Sequence, residues 1–541
     1  MNKKQIGIFS PIILVLIIAN LIFLNLWTSK LFGRLDLTEN KIYTLSDVTK
    51  DVIRELEEPL TVKAYFTKDL PSPYNSIATY VEDQLAEMKA FGGGKFRFEF
   101  LDPEDEEDLK KEAQNFKLEP IQVNEVRADR VQYKLAYMGM VLIYEDRQEV
   151  IPMVQSLENL EYEILSKIKR VTTSNVPVIG FLEGHGEPKL QESMTRLEME
   201  LKKLYDIKQV SLSGRSSVQD DIDLLCIIGP KEDIPEADRF LIDQYIMRGG
   251  RVMMAINKVE AEISQMQAKR SALRIDPWTE NYGFRIEDNL VLDRNAPTLP
   301  FQTVGRFGRQ ITMVVYPLFP EIINFNRDNL AMAVMRQVRL YFPSSIDTVV
   351  AMEKDSVTIT PFMYSSEKSS IQSEPYDINP LTQRTSAEWD QSSIPMAALV
   401  EGKFDSYWKD KEIPLNEDGE PISEDPIIEK SPDNKIFVIG DANFIQDQFL
   451  VPGLDNLTMM LNLIDWFVQD ERLITIRSRE VSSRPIGEVS DGTRRTVKYI
   501  NMILPPVLVI LFGLMRWRNR AARRKKLEFS SGSSRIGGDA K

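Results

Sequence analysis

The chain contains one histidine, His185, and one cysteine, Cys226, and that scarcity decides most of the chemistry it can host. Zinc sites ordinarily take three or four Cys or His ligands with few carboxylate substitutes, so the usual ones are excluded, and no metal or other cofactor is expected. A Cys/His nucleophile pair is excluded as well, because Cys226 sits inside an apolar run and reads as a small core hydrophobe. A Ser-His-Asp triad would have to use His185. That residue lies in Gly184-His185-Gly186-Glu187, directly after the strand-like run Val178 to Leu182, and thus at a strand's carboxyl end, where ligands bind in open parallel sheets. Two readings compete. In one, the four residues form a binding or catalytic loop with His185 as base. In the other they make a tight strand-to-helix turn, the glycines supplying unusual backbone angles and Glu187 favouring the helix N-terminus. The turn is favoured, because no nucleophile is identifiable nearby.

Asp441 and Asn443 stand at a comparable strand end. They either meet His185 across a crevice or cap the turn that follows, and capping is the preferred reading. Gly92-Gly93-Gly94-Lys95 lacks the Gly-x-x-x-x-Gly-Lys-Ser/Thr spacing of a phosphate loop and leads into a strand, so it is a turn. No such loop occurs elsewhere, and the chain is therefore not an ATPase. The acidic run Asp102 to Asp108 lacks the alternating ligands and turn glycine of a calcium loop, and reads as a solvated helix N-terminus.

At 541 residues the chain has room for two to four domains at ~100–200 residues each. Its ends are the most apolar parts. Residues Gln5 to Ser29 carry no charge, and Ile6 to Trp27 is long enough to cross a ~30 Å hydrocarbon core, with Trp27 as interfacial anchor. A cleavable signal peptide would be shorter and would end in small residues. A second uncharged stretch, Tyr499 to Met515, contains Pro505-Pro506 and is bracketed by Lys498 and Arg516. It precedes a basic block of Arg516, Arg518, Arg520, Arg523, Arg524, Lys525 and Lys526, of the kind that marks a cytoplasmic face and favours anionic lipid. From Arg516 onward there are nine Lys/Arg against two Asp/Glu; from Lys30 to Arg495 there are 55 against 79, a net charge of −24. The sequence thus predicts a two-pass protein anchored in a bacterial inner membrane, both termini cytoplasmic and residues 30–495 periplasmic. The acidic bulk argues against nucleic-acid binding.

The expected order begins with a tip and transmembrane helix (1–29) and a stalk helix (30–59). An α/β domain follows (60–172) in the order strand, helix, strand, helix, hairpin, helix, which is thioredoxin-like but lacks Cys-x-x-Cys. Next comes a larger Rossmann-like parallel-sheet domain (173–475), in which residues 260–430 are an elaboration with Ser/Thr-rich and acidic Pro-rich loops. A linker (476–497), a second transmembrane helix (498–516) and a basic tail (517–541) complete the chain.

Several stretches together resemble the GldG-like auxiliary components of ABC transport systems. They are Arg34-Leu35-Asp36-Leu37-Thr38 through Tyr43-Thr44-Leu45-Ser46, and Phe181-Leu182-Glu183 with the glycine-histidine loop. Further along come Asp223 to Pro230 followed by Tyr245 to Gly250, Asn281-Tyr282-Gly283, and Asp288 to Asp293. The last are Gly440-Asp441-Ala442-Asn443-Phe444 with Asn462 and Asp465-Trp466, and the terminal helix with its arginines. Order and spacing carry the likeness more than any one motif. The resemblance implies a subunit that works with a separate ABC permease and a cytoplasmic ATPase. It also implies a second domain similar to the GIFT domain of intraflagellar transport, related in fold to class I glutamine amidotransferases without their cysteine. It leaves the cargo open. An envelope linker of a motility machine and an envelope enzyme built on Gly184–Glu187 are the alternatives.

Overall fold

A computed structural model of the protein describes residues 44–468, apart from 72–73, 105, 128–129, 155–159, 216, 306–307, 350–355, 383 and 417–418, together with 498–499, 502, 510 and 512–518. It divides into a unit of residues 1–482 and a unit of residues 483–541. In the smaller unit the described residues are helical and exposed, Lys498, Arg516 and Arg518 among them.

In the first lobe, strand β1 (Leu60–Phe66) is flanked by β2 (Phe96–Leu101), parallel to it, and β5 (Met138–Tyr144), antiparallel to it, with β6 (Arg147–Ile151) on the outer side of β5. β1 is central because its alternate residues Leu60, Val62 and Ala64 are fully buried, while Tyr65 fills the opposite face. Helices Tyr74–Phe91 and Leu160–Thr172 turn Ile77, Val81, Leu85, Ile164, Leu165 and Ile168 toward the core. Between the helix Glu107–Asn115 and β5 the chain makes a hairpin, β3 (Ile121–Arg127) with β4 (Arg130–Ala136), that the sequence reading passed over. Its strands are rich in Gln, Asn, Glu and Arg, so they carry little of the apolar alternation that marks a strand. Upstream, Ser46 accepts the Thr49 N–H at 3.0 Å and caps the helix Asp47–Arg54. That helix buries Ile53 in the core, and Glu161 accepts both the Ser46 N–H (2.7 Å) and the Thr49 hydroxyl (2.6 Å).

The second lobe is built on eight strands. β7 (Val178–Glu183), β8 (Asp206–Ser211), β9 (Leu224–Ile228), β10 (Arg251–Ala255) and the strand Lys430–Ile439 run parallel in the spatial order β8-β7-β9-β10-(430–439). On the far side of Lys430–Ile439 the sheet continues antiparallel through Pro395–Asp405, Val357–Tyr364 and Asn324–Phe325. The all-parallel sheet expected from sequence is therefore corrected to a mixed one, and part of 260–430 belongs to the sheet. The reason is local: Pro395–Asp405 buries Met396 to Val400 on both faces, so its run lacks the alternation that identifies an antiparallel strand.

The two lobes share one hydrophobic cluster, which runs from Ile53, Val62 and Ile164 to Phe181, Leu197, Phe437 and Ile464. At its rim Arg170 bonds Glu149 (3.0 Å) on the first lobe, and Asp206 (2.9 Å) with the carbonyls of Lys202 and Tyr205 on the second.

Two expectations are overturned. Among the described residues no helix is long and apolar enough to cross a membrane, so the two flanking transmembrane helices, and with them the two-pass inner-membrane location with residues 30–495 periplasmic, are not supported. The physical reason lies in the helices themselves. The 18-residue Tyr74–Phe91 carries Glu82, Asp83, Glu87 and Lys89. The apolar Asn456–Val468 has only 13 residues, ~20 Å of helix, and is spent on the core. Residues 6–27, Trp27 among them, and Arg520, Arg523 and Arg524 lie outside the described residues, as does most of 499–515.

Asp243, fully buried on the helix Glu236–Met247, fastens the excursion to the sheet. It accepts the Tyr282 hydroxyl (2.5 Å), the Ser406 hydroxyl (2.7 Å), the Tyr407 N–H (2.9 Å) and the Gln244 amide (2.9 Å). Burial pushes its carboxyl above the usual range while these bonds pull it down. Asp243→Ala leaves those donors without an acceptor, and should cost about 3 kcal/mol. The check is the urea midpoint, which falls if Asp243 is the fastening and stays put if it is not.

Candidate functional site at the switch point of the sheet

Numbered along the chain, the five parallel strands lie in the order 2-1-3-4-5, so the winding reverses between β7 and β9. The crevice outside the carboxyl ends of those two strands is the place where such sheets bind ligands. Here it receives Gly184-His185-Gly186-Glu187 from β7 and Gly229-Pro230-Lys231-Glu232 from β9.

The two loops close on each other. The His185 carbonyl accepts the N–H groups of both Lys231 and Glu232 at 2.9 Å. Gly186 has φ +79°, and a Cβ there would stand 3.2 Å from the Lys231 Cβ. Gly229, with φ +62°, packs so that a Cβ would meet the Ala442 Cβ at 3.1 Å and the Pro188 Cδ at 3.3 Å. Both positions need glycine for backbone angle and for space. The two loops are thus bonded and packed against each other at the mouth of the crevice.

His185 is 4 % exposed. Its Nδ1 lies 3.1 Å from Glu187 Oε1, its Nε2 lies 2.8 Å from Asp238 Oδ2, and its own N–H donates to Glu187 Oε2 at 2.7 Å. Asp238 comes from the first turn of the helix Glu236–Met247, so the imidazole ties the β7 loop to the helix that follows β9. Burial works against the charged ring, but the hydrogen bonds and charges of Asp238 and Glu187 outweigh it and push the pKa up to about 9. At neutral pH the ring is an imidazolium donating from both nitrogens. It has no lone pair to offer as a base.

Asp441 and Asn443 follow the strand Lys430–Ile439, on the far side of β10. Asp441 is fully buried and accepts the Tyr341 N–H and the Asn443 N–H, each at 2.7 Å. Burial raises its pKa to about 7 against the pull of these bonds. Asn443 accepts from Gln446 (3.1 Å) and from Asn257 (3.3 Å), and Asn257 also accepts the Ala442 N–H at 2.7 Å. The structure thus brings the two loops together through Gly229 and Ala442, yet His185 bonds Glu187 and Asp238 while Asp441 bonds the backbone around it. Asp238 and Asn257 escaped sequence reasoning. An acidic residue in a first helical turn looks like ordinary dipole compensation, and only the strand order shows that Asp238 faces His185.

Elsewhere, Gly92–Gly94 is the turn into β2, with φ +55° at Gly93 and +91° at Gly94. Cys226 is buried within β9, and burial alone pushes its thiol up. Among the described residues no group of His, Cys, Asp and Glu is arranged to hold a metal ion.

The comparison with protein families matches residues 176–468 to the ABC-type uncharacterized transport system family, an auxiliary family as the motifs imply, without confirming the GldG-like likeness. The chain belongs to that family. Residues 39–143, most of the first lobe, match a domain of unknown function. An uncharacterized protein of Borreliella burgdorferi is 23 % identical over 520 residues, covering 92 % of this chain and 95 % of the relative. A solved structure of the mmIFT52 N-terminal domain is 14 % identical and covers 54 % of this chain and 97 % of its own, with a TM-score of 0.33, too slight to assign a fold. The family match spans the switch point and its excursion together, and gives the chain an auxiliary role in ABC-type transport. The thioredoxin-like, GIFT-like and gliding expectations are not shown.

The His185 clamp predicts a pH signature for this family member. A folded pKa raised from 6.5 to about 9 contributes stability that is fully present below pH 6.5 and is lost as pH rises through 9. Wild type should lose roughly 2–3 kcal/mol more than His185→Gln between pH 6.5 and 9.5 in urea unfolding. Asp441, raised to about 7, titrates at the start of this window in both proteins alike, so its contribution cancels from the difference. Parallel profiles for the two proteins would sink the assignment.

Proposed function

We propose that the chain is a non-catalytic auxiliary subunit of an ABC-type transport system, working with a separate permease and a separate ATPase, and that its α/β body engages transported substrate or protein partners. The observation that supports the reading is the clamped histidine at the switch point. The only imidazole in the chain is held as a cation between Glu187 and Asp238, and the loops around it are bonded and packed against each other. Proton abstraction there would require pulling a proton from a doubly bonded imidazolium, which opposes general-base chemistry near neutral pH. The sequence also lacks a phosphate loop, so hydrolysis of ATP falls to another chain. The Gly184–Glu187 loop, with Asp441 and Asn443 behind it, then serves to hold the sheet end rigid, a platform more than a pocket.

Crosslinking followed by purification of the tagged full-length chain from its own cells tests this. A permease and an ATPase bearing the Gly-x-x-x-x-Gly-Lys-Ser/Thr loop should be retained, the purified chain should hydrolyse no ATP by itself, and His185→Gln should leave transport active once assembly is verified. Recovery without any ABC component would count against the subunit reading. Loss of transport in a folded, assembled His185→Gln protein would favour an enzyme.

A further inference from the structure

The excursion carries a feature that neither the family match nor the switch point explains. Strands Thr298–Gly305 and Gly308–Val315 form a hairpin whose sheet has no third strand among the described residues. One face packs inward, where Phe301 lies 5.3 Å from Tyr316 in the local aromatic cluster and Leu299 packs beside it. The other face presents Ile311, Met313 and Val315 at 72 %, 61 % and 48 % exposure. Pro300 blunts the outer edge of the first strand, because it has no N–H to donate. The edge of Gly308–Val315 contains no proline.

Charge marks the same place. The protein has a net charge of −14, yet from Arg294 to Pro320 the sequence holds Arg294, Arg306 and Arg309 and not one Asp or Glu. At the hairpin's base Val314 and Val315 open onto a cleft of about 380 Å³, lined also by Arg294, Arg384, Trp389 and Thr382. Arg384 is fixed on the wall by Gln372 Oε1 (3.2 Å) and the Asp377 carbonyl (3.5 Å). It pairs loosely, at 3.9 Å, with Oε2 of Glu388, whose other oxygen accepts the Thr385 N–H and hydroxyl, both at 2.9 Å. Arg294 is exposed and has no ion pair among the described residues.

We infer that this hairpin and cleft bind an extended, acidic segment of a partner protein, which pairs along Gly308–Val315 and sets a carboxylate between Arg294 and Arg384. Edge pairing supplies sequence-independent affinity, the row Ile311, Met313 and Val315 takes apolar side chains at every second position, and the guanidinium pair selects the acidic residue. The charge balance decides for an acidic occupant, since a cationic one would be repelled here and drawn to the rest of the surface. The site stands whether or not the partners are the transport components proposed above.

Fluorescence anisotropy tests it with the full-length chain and a labelled octapeptide of alternating valine and glutamate, beside its valine–lysine counterpart. The acidic peptide should bind and the basic one should not. Arg294→Glu should weaken binding at least about tenfold, with binding weakened by Met313→Glu as well. Both residues are exposed, so circular dichroism should show each variant folded. Equal binding of the two peptides, no binding of either, or an unchanged affinity in Arg294→Glu would overturn the site. So would hairpin-dependent binding to vesicles containing phosphatidylglycerol, or Met313-dependent self-association in sedimentation, which would point to a lipid surface or a second copy.

Discussion

The second lobe depends on one pairing, that of Lys430–Ile439 with β10, Val252 opposite Ile436 through Ala255 opposite Ile439. The two segments are separated by the whole excursion, and closing so long a loop costs only logarithmically more than closing a short one. What the pairing demands is geometric. A chain leaving the carboxyl end of β10 must return to the amino end of its parallel neighbour, so it has to cross the sheet. Pro395–Asp405 is part of that return, antiparallel to Lys430–Ile439 with Ala397 opposite Ile439. The central strand therefore has partners of both senses, and the excursion is secured by the sheet it interrupts.

Charged side chains, most of them buried, fasten what the sheet leaves loose by joining separate segments. Asp243 holds residues 282, 406 and 407. Asp447 accepts the Thr195 N–H at 2.7 Å and caps the helix Thr195–Leu201 from another part of the chain. Asp455 accepts the N–H groups of Arg336 and Gln337. Lys258, fully buried, reaches Asp276 at 2.6 Å. A buried carboxylate with one donor is expensive; with three or four it becomes a specific joint that tolerates few alternatives. His185 obeys the same logic with the sign reversed, a cation between two anions. In this company its role reads as positional, one more joint among several.

Much of this was legible in the sequence, for definable reasons. Leu60–Phe66, Leu224–Ile228 and Tyr74–Phe91 carry strong apolar patterns bounded by turns, and they form the elements that the patterns indicate. The order of strands in the sheet was not legible, because β9 is apolar on both faces and its neighbours cannot be told from its residues. That order is what brings Asp238 to His185. The hairpin 121–136 was hidden by its polarity, and the antiparallel half of the sheet by its lack of alternation. The apolar ends were legible only as composition: no described helix is long and apolar enough to cross a membrane, and most of both stretches lies outside the described residues.

The clamped switch point and the open hairpin bear on each other. At the switch point the loops pack closely at Gly186 and Gly229, and the positive angles that permit the packing would strain any other residue. Recognition must then use surface that is not already satisfied. The excursion is where such surface is found: it lends three strands to the sheet, and the hairpin Thr298–Val315 stands outside them. Its core, around Tyr316, Phe319, Tyr341 and Phe342, is separate from the two larger clusters and packs edge-to-face among its own aromatic rings. A subdomain with its own core can hold an arm such as Thr298–Val315 in place without drawing on the sheet for support. In an auxiliary subunit that division is physically economical: the sheet supplies rigidity, and the excursion supplies contact.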